Sequence, residues 1–526
     1  MFVRLKRSLQ NGILYEYLQI AQSYRKEGKP RQRVLATLGR RDQILTDGSY
    51  DALLESMAKF SEKYRALAHG RSMAARSAKS WGPALVFGRL WEEQGLPEIV
   101  RTLAGDRKFG FDVERVAFAL ALQRLCAPGS DLQGSEWVET VEGLSGIALQ
   151  HLYRTNGFLA EVREELERAL FLRDRDLFSQ ELDLVFLDTT SVYVYRDTET
   201  EWRKRGYSRD HRPDLPQVVL GVAVDRRGWP VSWDVFPGHT ADPAALEAMI
   251  AKMRERFWIR RVIVVADRGM MGKNSLKLLT EERPAYDYIL GCRMRKQKEV
   301  GEEVLARAGR FQEVSQNLKV KEIQVGDHRY VVCLNEEEAR KDAAAREAIL
   351  ARLEEKLSGG AKSLLGNKGY ARFLKMAKGS LKINEEAVAA EARYDGKFVL
   401  RTNTDLPAAE VAQTYKSLWR VERTFRETKS TLEVRPIFHH NDETTIGHIV
   451  AGFLALRLEV DFQRRLDERG VEASWPTLMR NLAQVQAVRV ELGGKTYLLR
   501  TDLQGAAHQA FQAAGMRPPS PVTMMA

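Results

Sequence analysis

Cysteine is nearly missing from this chain. Its 526 residues contain three (Cys126, Cys292 and Cys333), scattered, with no CxxC pair and no histidine at metal-ligand spacing. That excludes a zinc motif readable from spacing, and it fits a reducing compartment; the three read as core residues. Long apolar runs are missing as well. The start, MFVRLKR, is basic, but no apolar stretch follows it, so no signal peptide is expected. The most apolar late segment, IGHIVAGFLALRLEVDF, is interrupted by His448, Arg457, Glu459 and Asp461, which makes it a packed helix rather than a membrane span. No internal repeat and no low-complexity tract occurs. A cytoplasmic protein without membrane attachment is the expectation.

What is present is globular in composition: 44% hydrophobic and 29% charged residues, long enough for two to four domains with a large core. The net charge is +11 and the sequence pI about 9.4, which points to an anionic partner, nucleic acid first. The charge is uneven. Residues 1–41 hold ten basic and two acidic residues, a net charge of +8. This segment reads as a β hairpin, Val3 to Leu9 and Ile13 to Ile20 around Gln10-Asn11-Gly12, and as either a solvated surface hairpin or a phosphate-contacting arm.

The chemistry converges on YKSLWRVERTFRETK, Tyr415 to Lys429. It contains no Gly or Pro and reads as one amphipathic helix. On it Tyr415, Glu422 and Lys429, seven residues apart, share a face with Arg426. A glutamate among arginines and lysines is by itself the mark of a solvated face. Two further carboxylates change this. Asp188 ends LDLVFLD and Asp267 ends RRVIVVAD, both short, β-branched apolar runs that read as buried strands. Each Asp then stands at a strand's C-terminal end, where α/β sheets place chemistry. Two such aspartates and a helical glutamate are the hard oxygen ligands that a two-metal phosphoryl-transfer site requires.

These residues carry a resemblance. LDTTSVYVY around Asp188, VVADRGM around Asp267 and YKSLWRVERTFRETK around Glu422 resemble the DDE transposases of bacterial insertion sequences with the Tyr-Arg-Glu-Lys signature. The block GYSRDHRPDLPQVVLGVAVDRRGWPVSWDVFPGHTAD is similar to one branch, the insertion sequence 1634 type of the insertion sequence 4 superfamily. The resemblance spans most of the chain. It implies Asp188, Asp267 and Glu422 as catalytic metal ligands for two Mg2+ ions, with Mn2+ able to substitute. It further implies phosphate contacts from Tyr415 and Lys429. Arg426, on the same helix face, and Arg268, next to Asp267, are further phosphate candidates by position, and Arg268, Thr189 and Thr190, which follow the two aspartates, are candidates to orient the ligands or the DNA. The chain departs from the pattern at Leu418, where the family has Arg; Arg420 and Arg426 are the candidates to replace it. Trp419 matches the family Trp and reads as core. The resemblance also implies double-stranded DNA partners (terminal inverted repeats and target), a homodimer that synapses two ends, and a nucleoid-associated location. Whether the second strand is cut through a DNA hairpin stays open.

The expected fold is α/β: a ribonuclease H-like core, a mixed sheet flanked by helices, with a large insertion and a mainly helical N-terminal region preceded by the β hairpin unit. The boundaries read as follows: 1–45, basic hairpin unit; 46–180, helical region binding DNA ends, with residues 70–80 as a linker; 181–292, first part of the core in the order β-β-β-α-β-α-β; 293–410, insertion, with a charged helix at 336–357 and a basic patch at 362–378; 411–465, second part of the core; 466–526, a terminal hairpin around Gly493-Gly494 and a disordered tail from Met516. His211, His239, His439 and His440 lack a paired metal spacing and read as structural hydrogen-bonders. A DNA transposase is the leading function. The alternatives are a metal-dependent nuclease of the same fold that does not join strands, and an element-derived DNA-binding regulator with a dead site.

Overall fold

The computed structural model describes the chain except residues 11–12, 27–28, 47, 59, 61–73, 179–183, 258–262, 269–272, 281–285, 359–371, 378–379, 493–494 and 526. It divides into two units, Met1–Ser80 with Gln484–Leu503 and Pro518–Ala526, and Trp81–Ala483 with Gln504–Arg517.

The first unit opens with β1 (Phe2–Gln10), β2 (Ile13–Lys26) and β3 (Lys29–Arg40), an antiparallel sheet in chain order. Gln10 pairs with Ile13 as the hairpin reading requires, while the turn residues Asn11 and Gly12 lie outside the described residues. The third strand is a correction. Its sequence, KPRQRVLATLGR, shows no alternation because most of it is solvent-exposed on both faces, so it carries no strand period to read. Helices Arg41–Thr46 and Ser49–Ala58 follow, then β4 (Ala74–Ser80), a strand where a linker was expected.

The second unit holds the large sheet. Its strands are β5 (Leu184–Tyr193), β6 (Gln217–Asp225), β7 (Pro230–Pro237), β8 (Ile263–Ala266), β9 (Asp287–Gly291), β10 (Gln312–Ser315), β11 (Leu318–Val325), β12 (His328–Leu334) and β15 (Lys397–Thr402); β13 (Leu374–Ala377) and β14 (Ser380–Ile383) pair apart from it. The order across the sheet is β10-β11-β12-β15-β9-β8-β5-β6-β7. β5, β8 and β9 run parallel and every other pairing is antiparallel. The first five core strands thus lie in the order 3-2-1-4-5, the ribonuclease H-like arrangement anticipated from the sequence. β10, β11, β12 and β15 come from the expected insertion, yet they prolong this sheet instead of folding apart from it. Between β12 and β15 the chain leaves the sheet through helix Glu336–Ser358, the β13–β14 pair and helix Glu385–Ala392, around a small core of Leu353 and Phe373. Ser358 of the expected Gly-rich break ends helix Glu336–Ser358, while Gly359-Gly360 and most of the basic patch lie outside the described residues.

β5, LVFLDTTSVY, and β6, QVVLGVAVD, are buried along almost their whole length, as strands covered on both faces must be. Helix Asp242–Phe257 covers one face through Leu246, Met249, Ile250 and Met253. A buried ion network fixes it. Lys252 pairs with Glu167 at 2.5 Å and bonds the Trp233 carbonyl at 2.6 Å, while Glu167 accepts from Ser232 and from the Trp233 amide. Such a pair anchors geometry more than it adds net stability.

The helical region is built from Gly82–Glu93, Leu96–Ala104, Val113–Cys126, Asp131–Trp137, Leu149–Glu161 and Arg163–Phe178. Local caps set its starts: Asp112 accepts from the Arg115 amide, and Ser130 with Gln133 forms a capping box. The long helix Asp442–Glu468 packs against Val113–Cys126 and Leu149–Glu161. Gly447 permits the closest approach, since a Cβ there would sit 1.9 Å from the Asn156 carbonyl. Arg457, Glu459 and Asp461 are buried within this helix, and among the described residues no helix is long and apolar enough to cross a membrane.

The chain returns to the first unit with β16 (Gln486–Leu492), β17 (Lys495–Arg500) and β18 (Val522–Met524), which complete a sheet of order β18-β17-β16-β4. The tail expected to be disordered is therefore a strand edge, held by pairing of Val522, Thr523 and Met524 with β17. Gly493-Gly494 lies outside the described residues.

Candidate active site

The parallel register Leu187↔Ala266 is the last pair between β5 and β8. The next residues on the two chains are Asp188 and Asp267, so the strand register alone brings the two aspartates side by side. Asp267 leaves the sheet at the end of β8. β5 continues to Tyr193, so Asp188 stands mid-strand, where parallel pairing stops, and not at the strand's end.

Glu422 comes from a helix that differs from the expected one. Tyr415–Lys429 is three pieces: Ala408–Lys416, a break at Ser417–Leu418, then Trp419–Arg426 and a π-turn at Glu427–Thr431. The break has no Gly or Pro behind it. Leu418 turns inward instead and is 8% exposed. Tyr415, Glu422 and Lys429 thus do not share one continuous helical stripe. Even so, Asp188, Asp267, Tyr415 and Glu422 line one cavity of about 260 Å³, together with Phe398, Lys416, Leu418, Trp419 and Val421.

Within it, Tyr415 donates its hydroxyl to Asp267 Oδ1 at 2.8 Å. Its ring stacks on Phe398 at 5.8 Å. Gly291, at the end of β9, makes the space, because a Cβ there would lie 2.4 Å from the Tyr415 hydroxyl and 2.9 Å from the Arg268 amide. Asp188 accepts the Thr189 amide at 2.7 Å. Burial pushes its carboxyl up to about 7, and the Asp267 and Asp242 charges act in the same direction; the Thr189 amide and Arg209 oppose them. The oxygens of Asp188, Asp267 and Glu422 are not drawn within 4.8 Å of one another. Among the described residues the group that is so drawn is another one, Asp131, His439 and His448.

Other candidates are placed as follows. Lys429 bonds Asp210 Oδ1 at 2.8 Å, with the Arg435 guanidinium 3.2 Å from the same oxygen; burial lowers the Lys429 pKa and Asp210 opposes it. Arg268 and Arg426 are exposed, and the Arg268 carbonyl accepts from Arg293 Nε. Thr189 Oγ1 donates to Asp242 at 2.7 Å and accepts from Arg209, which pairs with Asp242 at 2.7 Å. Trp419 is 50% exposed, with the Arg420 guanidinium over its ring, and so is not the core residue expected. Cys292 and Cys333 are buried and Cys126 half-buried, none in a disulfide.

Arg209, Asp210 and Asp242 were not singled out from the sequence, although all three lie inside the long block between the two aspartates. The available signal was that block's density of charge just before and after two strands.

Residues 3–69 match the N-terminal domain of IS1634 family transposases, and residues 179–458 match the transposase DDE domain. No curated protein matches. Among solved structures, the chain is similar to a piggyBac transposase synaptic complex with hairpin DNA (11% identity, 76% of this chain and 79% of that one, TM-score 0.39). It is also similar to the Mos1 mariner paired end complex with Mn (15% identity, 38% and 66%, TM-score 0.14). The DDE-domain match spans more than half of the sequence: this chain belongs to the DDE transposases, of the IS1634 type, and is an enzyme that acts on DNA.

Proposed function

We propose that Asp188, Asp267 and Glu422 hold two divalent ions, Mg2+ with Mn2+ able to substitute, and that the protein cleaves the phosphodiester at insertion-sequence ends and joins the freed 3′-hydroxyl to target DNA. The observation that carries this reading is the single cavity lined by all three carboxylates. The donor set is all hard oxygen, which suits these ions, and Asp188 is half-buried beside like charges that a cation relieves. When bound, the ions would activate the attacking oxygen and neutralise the leaving one. The protein's share is positioning. Tyr415 orients Asp267, the Thr189 amide orients Asp188, and the Trp419–Arg426 helix presents Glu422. Arg268 and Arg426 are exposed cations suited to DNA phosphates, and Tyr415 and Lys429 are proposed to join them once DNA draws them from Asp267 and Asp210.

The roles read from the sequence for the basic arm and the helical region are part of this proposal. The basic β1–β3 sheet tracks the phosphate backbone, the helical region within 46–180 binds the element ends, and two copies synapse them.

The test is a cleavage and joining assay on labelled element-end DNA with Mg2+, Mn2+ or EDTA, beside Asp188→Asn and Glu422→Gln. Cleavage and joining should both disappear in EDTA and in either variant. Full cleavage by Glu422→Gln would remove Glu422 from the site, and cleavage without joining would leave a nuclease.

A further inference from the structure

We infer that Asp131, His439 and His448 form a second, structural metal site, for an ion of the zinc type, that ties the helical region to the chain segment following the Glu422 helix. The three residues come from separate elements. Asp131 opens the Asp131–Trp137 helix, His439 sits in the loop before Asn441, and His448 lies on the Asp442–Glu468 helix. All are buried, at 2%, 7% and 5% exposure, and one ligand atom from each falls within 4.8 Å of the others.

The two ring nitrogens stand at a spacing that a hydrogen bond and a shared ion both use, and the unpartnered Asp131 oxygen decides for the ion. His448 Nε2 lies 3.1 Å from the Val434 carbonyl and must carry the proton there, which leaves Nδ1 as a lone pair. That lone pair is 3.2 Å from His439 Nε2. A tetrahedral zinc with nitrogen ligands at about 2.0–2.1 Å holds them about 3.3–3.4 Å apart, so the rings already stand at ligand spacing. The second observation is Asp131. Its Oδ2 accepts from Asn156 Nδ2 at 2.7 Å, but Oδ1 is fully buried without a hydrogen-bond partner and lies 3.9 Å from His439 Nε2. A buried carboxylate oxygen without a donor is costly, and a cation between it and the two rings would satisfy it. Asn156 Oδ1 is likewise buried without a partner.

The surroundings are rigid, as a structural site requires. Arg203, buried, clamps the histidine loop by bonding the His439 and His440 carbonyls at 3.5 and 2.9 Å and Asp442 at 2.9 Å. Gly447 seats His448's helix directly on the Asn156 backbone. The opposing charge is Arg124, close enough to act on Asp131 and both histidines; it bonds the Gly129 carbonyl and is itself answered by Glu433. Two nitrogens and one carboxylate oxygen in a closed, buried setting select a borderline ion such as Zn2+ over Mg2+.

The inference does not depend on the three-carboxylate reading, and the experiment separates the two. The full-length Asp188→Asn/Glu422→Gln double variant is stripped with EDTA, dialysed against Zn2+ and measured for bound metal. About one zinc per chain should remain, Co2+ should replace it with visible d–d absorption, and chelation should lower Tm by at least about 3 °C. His439→Gln and His448→Gln, each added to that background, should lose the zinc, while His440→Gln, a substitution of the exposed neighbour, should keep it. No retained zinc, a Tm indifferent to zinc and chelator, or full retention by His439→Gln would each overturn the site and leave a hydrogen-bonded histidine pair. The Co2+ spectrum and the Tm shift need no histidine variant, so a variant that fails to fold does not block the test.

Discussion

The Tyr415 hydroxyl donates to Asp267 Oδ1 across 2.8 Å, in space that the missing side chain of Gly291 leaves open. A donor on a metal-binding carboxylate fixes which oxygen lone pair faces the ion. Losing such a partner typically costs about 10–100-fold in metal affinity or activity. On the metal role proposed for Asp267, Tyr415→Phe is therefore expected to weaken Mn2+ binding to the DNA-free protein by about 10–100-fold. Gly291→Ala should act in the same direction by displacing the hydroxyl. A metal titration of each variant checks this, and an unchanged metal affinity would detach Tyr415 from the site.

Lys429, Asp210 and Arg435 form a part-buried triad with one anion between two cations. Removing one member of a buried pair costs about 3–5 kcal/mol. Lys429→Met should fall at the lower end, about 3 kcal/mol, because Arg435 still faces Asp210. Asp210→Asn should cost more, about 5 kcal/mol, because it leaves two cations together. Urea unfolding of both variants gives the order; the reverse order would mean that Lys429 is held mainly by other contacts.

Trp419 and Phe425 lie on the same short helix but in opposite environments, 50% and 7% exposed. Phe425→Ala should cost about 3–5 kcal/mol of stability, the range for a buried aromatic. Trp419→Ala should cost less than about 1 kcal/mol, and its effect should appear in DNA binding or cleavage instead. Thermal unfolding of the pair, with a cleavage assay beside it, distinguishes the two.

Glu459, buried in the Asp442–Glu468 helix, faces the like charge of Glu427 on the π-turn. Burial, then the Glu427 charge, raises its pKa well above the ordinary glutamate value. The native state thus holds a proton that the unfolded chain releases above about pH 4.3. The sign follows: the stability contribution is whole below that pH and is lost as pH rises toward the folded pKa, by at most about 1.4 kcal/mol per pH unit. Glu459→Gln removes the dependence. Its urea midpoint, compared with that of the parent chain, should improve between pH 5 and pH 8, and parallel pH curves would refute the assignment.

The parts of the site legible in sequence were those set by local pattern. IVVA before Asp267 and LVFL before Asp188 are apolar, β-branched runs with a single place in a sheet, and the carboxylates follow them directly. The break at Ser417–Leu418 was not legible. No residue there disfavours helix, yet the helix is interrupted at Ser417–Leu418, where Leu418 is buried. Strand β4, AARSAKS, is small and polar and becomes a strand only by pairing with β16. The triad at Asp210 and the cluster at Asp131 escaped for a related reason. Their members lie far apart in sequence, and each alone is an ordinary charged or aromatic residue.

That same β4–β16 pairing sets a schedule for synthesis. Ser80 meets Gln486 about 400 residues after it is made. At about 5–20 residues per second, β4 emerges from the ribosome about 20–80 s before its partner exists. Throughout that interval its backbone amides and carbonyls are an open edge, so this sheet is among the last structures the nascent chain can finish and is exposed to mispairing while it waits.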